Sequence, residues 1–496
     1  MAHINFIMQN INMARICLIN PPIRILARDV LPTVPPMGLL CIAAMLRSKG
    51  HDVHIIDTII EDDRTGSRAD YGMGREAIIE KLVSFNPSWV GITNNITVNE
   101  ADAVECASIA KAVLPGVKTV LGGSSVTVRA REVLAAEPVD YAIRGDGDLV
   151  LPELVRRVDS GIRTEGIRGV CWKSAGNIHV PDEIEHVEDL SVLPMPAWDL
   201  VPVEKYLSRR FPFVHVTGRN MVMHTSRGCV SNCVFCTGRD IQGRFRPRPI
   251  EAVKSEIDYL VKNHSVNSLH FMDSNINADR DRFVDLCAML KQTGLPWNPL
   301  GGIYFPSLNP ECVEIMLDSG CFYFTLSAEH GCERIQKFIG KKVPLDRARD
   351  IIGICKKRGV WSHASFVVGF PSETPAETME CLDYAKRAGV DSISVFTAVP
   401  LPGSRLHAMP GAGHGVSGDD FRLLGRKSFF DTASTGDLER IKNLIFRRFL
   451  LHKVLKTIFN PAGFIRRVIV SRGRYFRCFL NSAGRFRSLM KVRREY

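Results

Sequence analysis

The chain's 496 residues are too many for one hydrophobic core, so two or three domains are expected. An apolar fraction of 45% and a charged fraction of 24% exclude a disordered or fibrous chain, and no run approaches the ~18 uncharged apolar residues of a spanning helix. The net charge of +11 is local: residues 440–496 hold 16 Lys or Arg against one acid, Glu495, so this tail carries +15 and the remainder is slightly acidic.

Residues 1–13 read as a disordered leader without the tripartite form of a secretory signal. From 14 to 160, short apolar runs alternate with amphipathic stretches. Strands are predicted at Ala14–Asn20, Asp52–Asp57, Trp89–Thr93, Lys118–Gly123 and Asp140–Gly145, and helices near 38–49, 74–85, 100–113, 127–136 and 148–158. This rhythm predicts a doubly wound parallel sheet. Ligands on such sheets bind beyond the strands' carboxyl ends. There the chain carries Pro35-Pro36-Met37-Gly38, Thr93-Asn94-Asn95, Gly122-Gly123-Ser124-Ser125 and Gly145-Asp146-Gly147-Asp148. Gly- and Pro-rich loops suit close backbone approach to a ligand, although glycines also simply end strands.

Residues 161–218 read as a hairpin (Gly169–Lys173, Asn177–Val180) and a proline-punctuated linker around Leu193–Asp199. A second β/α series spans 219–410. Its strands are predicted at 221–225, 268–273, 299–304, 322–328, 361–369 and 391–398, with helices near 248–263, 280–293, 310–319, 345–358 and 375–388. Six strands with intervening helices predict a partial, TIM-like (β/α)6 barrel. The basic region 411–496 reads as short helices broken at Pro461.

Most of the 14 cysteines are scattered, which predicts reduced thiols in a cytoplasmic protein. Cys229, Cys233 and Cys236 are the exception, set as C-x3-C-x2-C after the first barrel strand. Three thiolates on one loop can hold three irons of a [4Fe-4S] cubane and leave the fourth open. Structural zinc is the competing reading, but it needs four ligands, normally from paired C-x2-C units, and no second pair is obvious.

Arg227-Gly228-Cys229 through Cys236, with the aromatic Phe235 before the last cysteine, resembles the radical S-adenosylmethionine (SAM) superfamily. The resemblance implies that the open iron binds SAM, whose reductive cleavage yields a 5′-deoxyadenosyl radical. It also implies SAM contacts at Phe235 and at the strand ends, with Asp273 or Asn275 replacing the usual Gly-Gly-Glu, Ser327 and Glu329 on the fourth strand, Val368 and Gly369 on the fifth, and Pro400 on the sixth. A doubly wound domain before such a barrel resembles the cobalamin-binding radical SAM class, including magnesium-protoporphyrin ester cyclase-type and hopanoid methylase-type enzymes. For cobalamin the resemblance points to Pro36, Met37, Gly38, Leu39, Thr93, Asn94, Gly122, Gly123, Ser124, Gly145, Asp146 and Gly147, the last run carrying aspartates where the family has glutamates. Asp52-Val53-His54 lies on the second strand, so His54 reads as a strand residue and cobalt is expected to lack a protein histidine.

The function that this resemblance implies is methyl transfer to an unactivated carbon or to phosphorus. The alternatives are radical ring closure or rearrangement, and a cobalamin or iron–sulfur sensor that binds lipid or nucleic acid. A methylthiotransferase does not fit, because its first-domain cysteine pattern is missing. An external reductant such as flavodoxin or ferredoxin is expected, and a small-molecule or lipid-like substrate. In the tail, cations interleave with Phe, Leu and Ile. That pattern suits a helical cap on the barrel or contact with the inner face of a membrane, and suits nucleic acid less well.

Overall fold

The computed structural model describes residues 13–24, 34–62, 70–95, 97–208, 217–341, 343–410 and 435–482. The leader before Met13, residues 411–434 and the last fourteen residues of the basic tail lie outside them. The chain divides into two compact units, Met1–Arg209 and Arg210–Tyr496.

In the first unit the elements run β1 (Arg15–Asn20), α1 (Met37–Ser48), β2 (Asp52–Asp57), α2 (Arg75–Phe85), β3 (Trp89–Thr93), α3 (Glu100–Val113), β4 (Lys118–Gly122), α4 (Ser124–Ala135), β5 (Tyr141–Ile143), α5 (Gly147–Asp159), β6 (Val170–Ser174) and β7 (Asn177–His179). The sheet order is β2-β1-β3-β4-β5-β6-β7, with β1–β5 parallel and β6–β7 antiparallel. Parallel strands are covered on both faces, and Ile16–Ile19 of β1 are accordingly all buried. Cys17, Ile19, Val90, Ile92 and Leu121 pack against Cys106, Ile109 and Ala110 of α3 and Val126 and Val133 of α4. The order 2-1-3-4-5 reverses direction between β1 and β3, and ligands bind at such a switch point. The hairpin that the sequence assigns to a linker region instead extends this sheet, because β6 pairs with β5 through Tyr141↔Trp172 to Ile143↔Val170. Backbone pairing of that reach is not visible in local pattern.

The second unit runs β8 (Asn220–Met223), α6 (Ile250–His264), β9 (Ser268–Phe271), α7 (Arg280–Thr293), β10 (Trp297–Pro299), α8 (Pro310–Asp318), β11 (Tyr323–Glu329), α9 (Glu333–Ile339), α10 (Leu345–Lys357), β12 (Trp361–Val368), α11 (Pro375–Ala388), β13 (Ser392–Thr397), α12 (Thr435–Phe459) and α13 (Pro461–Val470). Parallel sheets β8-β9-β10 and β11-β12-β13 are joined by the bridge Trp297↔Cys321, which makes six strands in chain order. The third strand departs from the predicted 299–304. It ends at Pro299, because Gly301 and Gly302 pack under the carbonyls of Met272, Asp273 and Ser274, where an added Cβ would lie 2.4–2.5 Å from an oxygen. Helix ends follow the sequence closely. Thr374 and Glu377 form a capping box with Pro375 at the first turn of α11, and Gly389 ends that helix in the left-handed region.

The described part of the basic tail is a cap on the barrel. Asp391, fully buried before β13, binds Lys453 (3.2 Å), Arg467 (2.9 Å) and the Tyr475 hydroxyl (2.8 Å). Tyr475 packs on Trp361 and Phe464.

Candidate functional site

The cysteine loop leaves β8 through Ser226-Arg227, which pairs with Arg246-Pro247. Gly228 must be glycine: its φ is +87° and a Cβ would sit 1.8 Å from the Arg244 carbonyl oxygen. Asp273, buried at the end of β9, braces the strand end before the loop. Its carboxylate accepts from the Thr225 amide (3.0 Å), the Thr225 hydroxyl (2.8 Å) and the Ser226 hydroxyl. Asn275 Oδ1 accepts from the Val230 amide and the Cys229 thiol, both at 3.0 Å. Of the two residues offered as SAM contacts on this strand end, Asp273 is therefore committed to Thr225 and Ser226, while Asn275 is at the loop itself.

Further along the loop, the Val234 amide donates to the Ile339 carbonyl (2.9 Å) and its own carbonyl accepts from Leu406 (2.8 Å). The Gly238 amide donates to Cys236 Sγ at 3.2 Å, a type of bond that tunes cluster sulfurs. Cys233 is buried, Cys229 half-buried and Cys236 exposed. Burial pushes the Cys233 thiol up to about 12, and the nearby Glu329, Cys236 and Cys229 add to the effect. Binding metal would release that proton.

The donor set fits a cubane with one open iron. Among the described residues no three His, Cys, Asp or Glu side chains converge on a single ion. Structural zinc normally takes four protein ligands, whereas a cubane spreads three thiolates over three irons.

Three features beside the loop are set by contacts that the sequence does not show. Lys341 pairs with Glu329 in a nearly buried ion pair. Burial pushes the lysine's pKa down, but Glu329 and the thiols of Cys233 and Cys229 outweigh it, so the net direction is up. Glu329 itself holds φ +61° at the end of β11. Phe235 meets Phe370 at 5.9 Å within an apolar plug that includes Cys233, Ile335, Val367 and Leu406. Finally, the fifth-strand turn is held from below. Glu373 accepts from the amides of Gly369 (2.7 Å) and Phe370 (2.9 Å), and its other oxygen faces His330 Nε2 at 3.0 Å. Val368 and Gly369 thus sit on a braced turn, with Leu438 of α12 directly over Gly369. Ser327 lies inside β11, and the Pro400 carbonyl faces His407 Nδ1 at 3.2 Å.

The barrel lumen is polar. Trp297 of β10 donates to Ser319 on the helix side, so the next residue, Asn298, points inward. Phe366 of β12 contacts Tyr384 of α11, so Ser365 and its register partners Ser327 and Ser394 face inward as well. Asn298 is fully buried with neither amide atom paired, and the Thr325 hydroxyl is also buried without a partner. Orphaned polar atoms inside a barrel call for a polar ligand or water.

In the first unit, Thr93, Asn94, Gly122, Gly123 and Ser124 are brought together where β3 and β4 end. The Asn94 amide donates to the Gly122 carbonyl at 2.7 Å. At Gly123 the φ is +111° and a Cβ would meet the Asn94 carbonyl oxygen at 2.7 Å. The Asn94 side chain is 1% exposed with neither its nitrogen nor its oxygen paired. An orphaned buried amide beside a glycine turn at a switch point fits a bound cofactor rich in amide groups, as cobalamin is. Pro36 precedes α1 and Met37, Gly38 and Leu39 open it, with Gly147 packed on Ile42 of the same helix. Gly145 and Asp146 serve a neighbour that the sequence reading missed. Segment Glu185–Val187 covers them, with Asp146 accepting the Val187 amide at 3.0 Å and Glu185 bonded to Arg144 and Asp146. His54 lies within β2 against Phe85, away from the strand ends.

Comparisons with known proteins agree with both units. A B12 binding domain model matches residues 23–155 and a radical SAM superfamily model matches 223–385. An uncharacterized methyltransferase of Pyrococcus horikoshii is 32% identical over 395 residues, covering 79% of this chain and 82% of the relative. The cytidylyl-2-hydroxyethylphosphonate methyltransferase of Streptomyces wedmorensis is 27% identical, covering 79% and 80%. The structure of the radical SAM methyltransferase TsrM from Kitasatospora setae, with cobalamin and a [4Fe-4S] cluster bound, shares the fold at TM-score 0.65 and 17% identity, covering 79% of this chain and 77% of that one. With both family models falling on the two units that carry the thiol loop and the glycine-rich strand ends, this chain belongs to the cobalamin-binding radical SAM enzymes, which use a [4Fe-4S] cluster, SAM and cobalamin.

Proposed function

We propose that this enzyme transfers a methyl group to an unactivated carbon, or to phosphorus, of a small organic substrate whose reacting part is polar. The observation that carries the reading is a three-thiol loop in one chain with a buried, unpaired Asn94 side chain at the end of β3 in a cobalamin-type sheet. Two relatives aligned over about four fifths of the chain are named methyltransferases, which favours methyl transfer over ring closure.

When bound, the cluster and SAM supply a hydrogen-abstracting radical, and cobalamin supplies a transferable methyl group. The chain's own work is positional. Cys229, Cys233 and Cys236 would hold three irons, with the Gly238 amide donating to the Cys236 sulfur and Asn275 anchoring the loop through the Val230 amide. Phe235 and Phe370 exclude water from the base of the loop. The Glu373 turn presents Gly369 and Phe370. Asn298, Thr325 and Ser365 offer hydrogen bonds inside the barrel. Electrons come from an external donor of the flavodoxin or ferredoxin class.

The test uses anaerobically reconstituted protein with cobalamin, a low-potential reductant and SAM carrying a deuterated methyl group. The substrate source is a metabolite extract of cells lacking the gene. Methyl transfer predicts a deuterium-labelled product with S-adenosylhomocysteine and 5′-deoxyadenosine in equal amounts. Deoxyadenosine without S-adenosylhomocysteine or label would mean ring closure or rearrangement instead.

A further inference from the structure

The described part of the tail docks on the barrel with one face and leaves another bare. Along α12, Leu438, Ile445 and Phe449 are buried, and Lys453 reaches Asp391. The opposite side carries Leu451, Val454, Leu455, Ile458 and Phe459, spaced i, i+3, i+4, i+7, i+8, all exposed; Ile458 is 64% and Phe459 82% open to solvent. The stripe continues on α13 through Ile465 and Ile469, the latter 69% exposed, and then through Phe476, Phe479 and Leu480 on the helical stretch 474–482. Phe464 joins these pieces by contacting both Phe476 and Phe479. Twelve of the twenty exposed large apolar side chains among the described residues fall between Leu444 and Leu480. Single exposed apolar residues are ordinary, but a concentration of this kind marks an interaction surface.

The charge around the stripe identifies what meets it. Arg447, Arg448, Lys456, Arg466, Arg472 and Arg477 are exposed beside it, and no Asp or Glu occurs between Glu439 and Glu495. A second copy of this chain fits poorly, because a two-fold interface would set the basic surface against itself. Residues 483–496 are basic too, so they do not complement it. An apolar stripe rimmed by cations matches a bilayer whose surface is anionic. No helix among the described residues is long and apolar enough to cross a membrane.

We propose that the outward face of α12, α13 and residues 474–482 is a membrane-docking surface that lies in the interface of an anionic bilayer. The acyl region receives Ile458, Phe459, Ile465 and Ile469, and the headgroups receive the arginines. This inference is independent of the reaction proposed above, since docking is read without turnover.

The experiment is co-sedimentation of the full chain with vesicles of phosphatidylcholine containing phosphatidylglycerol, and with vesicles of phosphatidylcholine alone. The double variants Ile458→Asp/Phe459→Asp and Ile465→Asp/Ile469→Asp change exposed side chains, so thermal melting should be unaltered. The wild type should pellet with the anionic vesicles, less so in high salt. Either double variant should lower apparent affinity about tenfold or more. Equal pelleting of variants and wild type overturns the proposal, as does failure of the wild type to bind anionic vesicles. A concentration-dependent dimer in sedimentation velocity, abolished by the same variants without vesicle binding, overturns it in favour of a second copy. Should one variant lose its melting transition, the other decides.

Discussion

Glu373 and His330 form a fully buried pair, Nε2 to Oε1 at 3.0 Å, beneath the turn that ends β12. The Cys332 amide donates to His330 Nδ1 at 3.0 Å, which leaves Nε2 as the protonated nitrogen that donates to Glu373. The same carboxylate takes the Gly369 and Phe370 amides. Glu373 is therefore a positioning residue for the strand end expected to meet SAM.

Replacing Glu373 with Gln puts an amide donor where an acceptor is required, against either His330 or the turn. Losing a charge-assisted buried bond costs about 1.5–3 kcal/mol. The KM for SAM should rise roughly ten- to a hundredfold, with a smaller effect on kcat and the same cluster absorbance. A fall in kcat alone, at constant KM, would contradict the positioning role.

Gly228→Ala forces a Cβ against the Arg244 carbonyl at a φ of +87°. The loop must distort, so iron and sulfide incorporation should drop sharply after reconstitution, measured by cluster absorbance and iron content. Gly353→Ala in α10 is the control. Its Cβ meets nothing within 4 Å, and it should stabilise the protein by up to about 1 kcal/mol.

Asn94→Leu removes an orphaned amide from the interior of the first unit. Without cofactor the variant should melt higher than wild type, by about 1–2 kcal/mol of stability. Cobalamin retained through purification, read by its visible absorbance, should fall. Unchanged retention would remove Asn94 from the cobalamin pocket.

Asp391→Asn leaves Lys453 and Arg467 facing a neutral amide in a buried site. Removing one partner of such a group costs about 3–5 kcal/mol, so thermal stability should fall and the 435–482 segment should become protease-sensitive. Burial alone would raise the pKa of Asp391, but Lys453 and Arg467 outweigh it and hold the group below the ordinary carboxylate range. A depressed acid stabilises the fold above its unfolded value, about 3.9, and loses that contribution as pH falls through its folded value. The acid limb of wild-type stability should accordingly be shallower in the variant.

Much of this protein was legible as a string. The first-unit strands Asp52–Asp57 and Trp89–Thr93 and the helices at 100–113, 280–293 and 375–388 have their predicted bounds, because hydrophobic period and caps such as Thr374 and Gly389 act over a few residues. The thiol loop was equally local, its three cysteines lying within eight residues. What only the tertiary structure decided were relationships across long separations. Asp273 closes on Thr225 and Ser226, Lys341 on Glu329, segment Glu185–Val187 on Gly145 and Asp146, and the tail on Asp391. These depend on packing, which has no period in the sequence. For the same reason composition alone left open which side of the basic tail was cap and which was bare, until Asp391 fixed the face that turns inward.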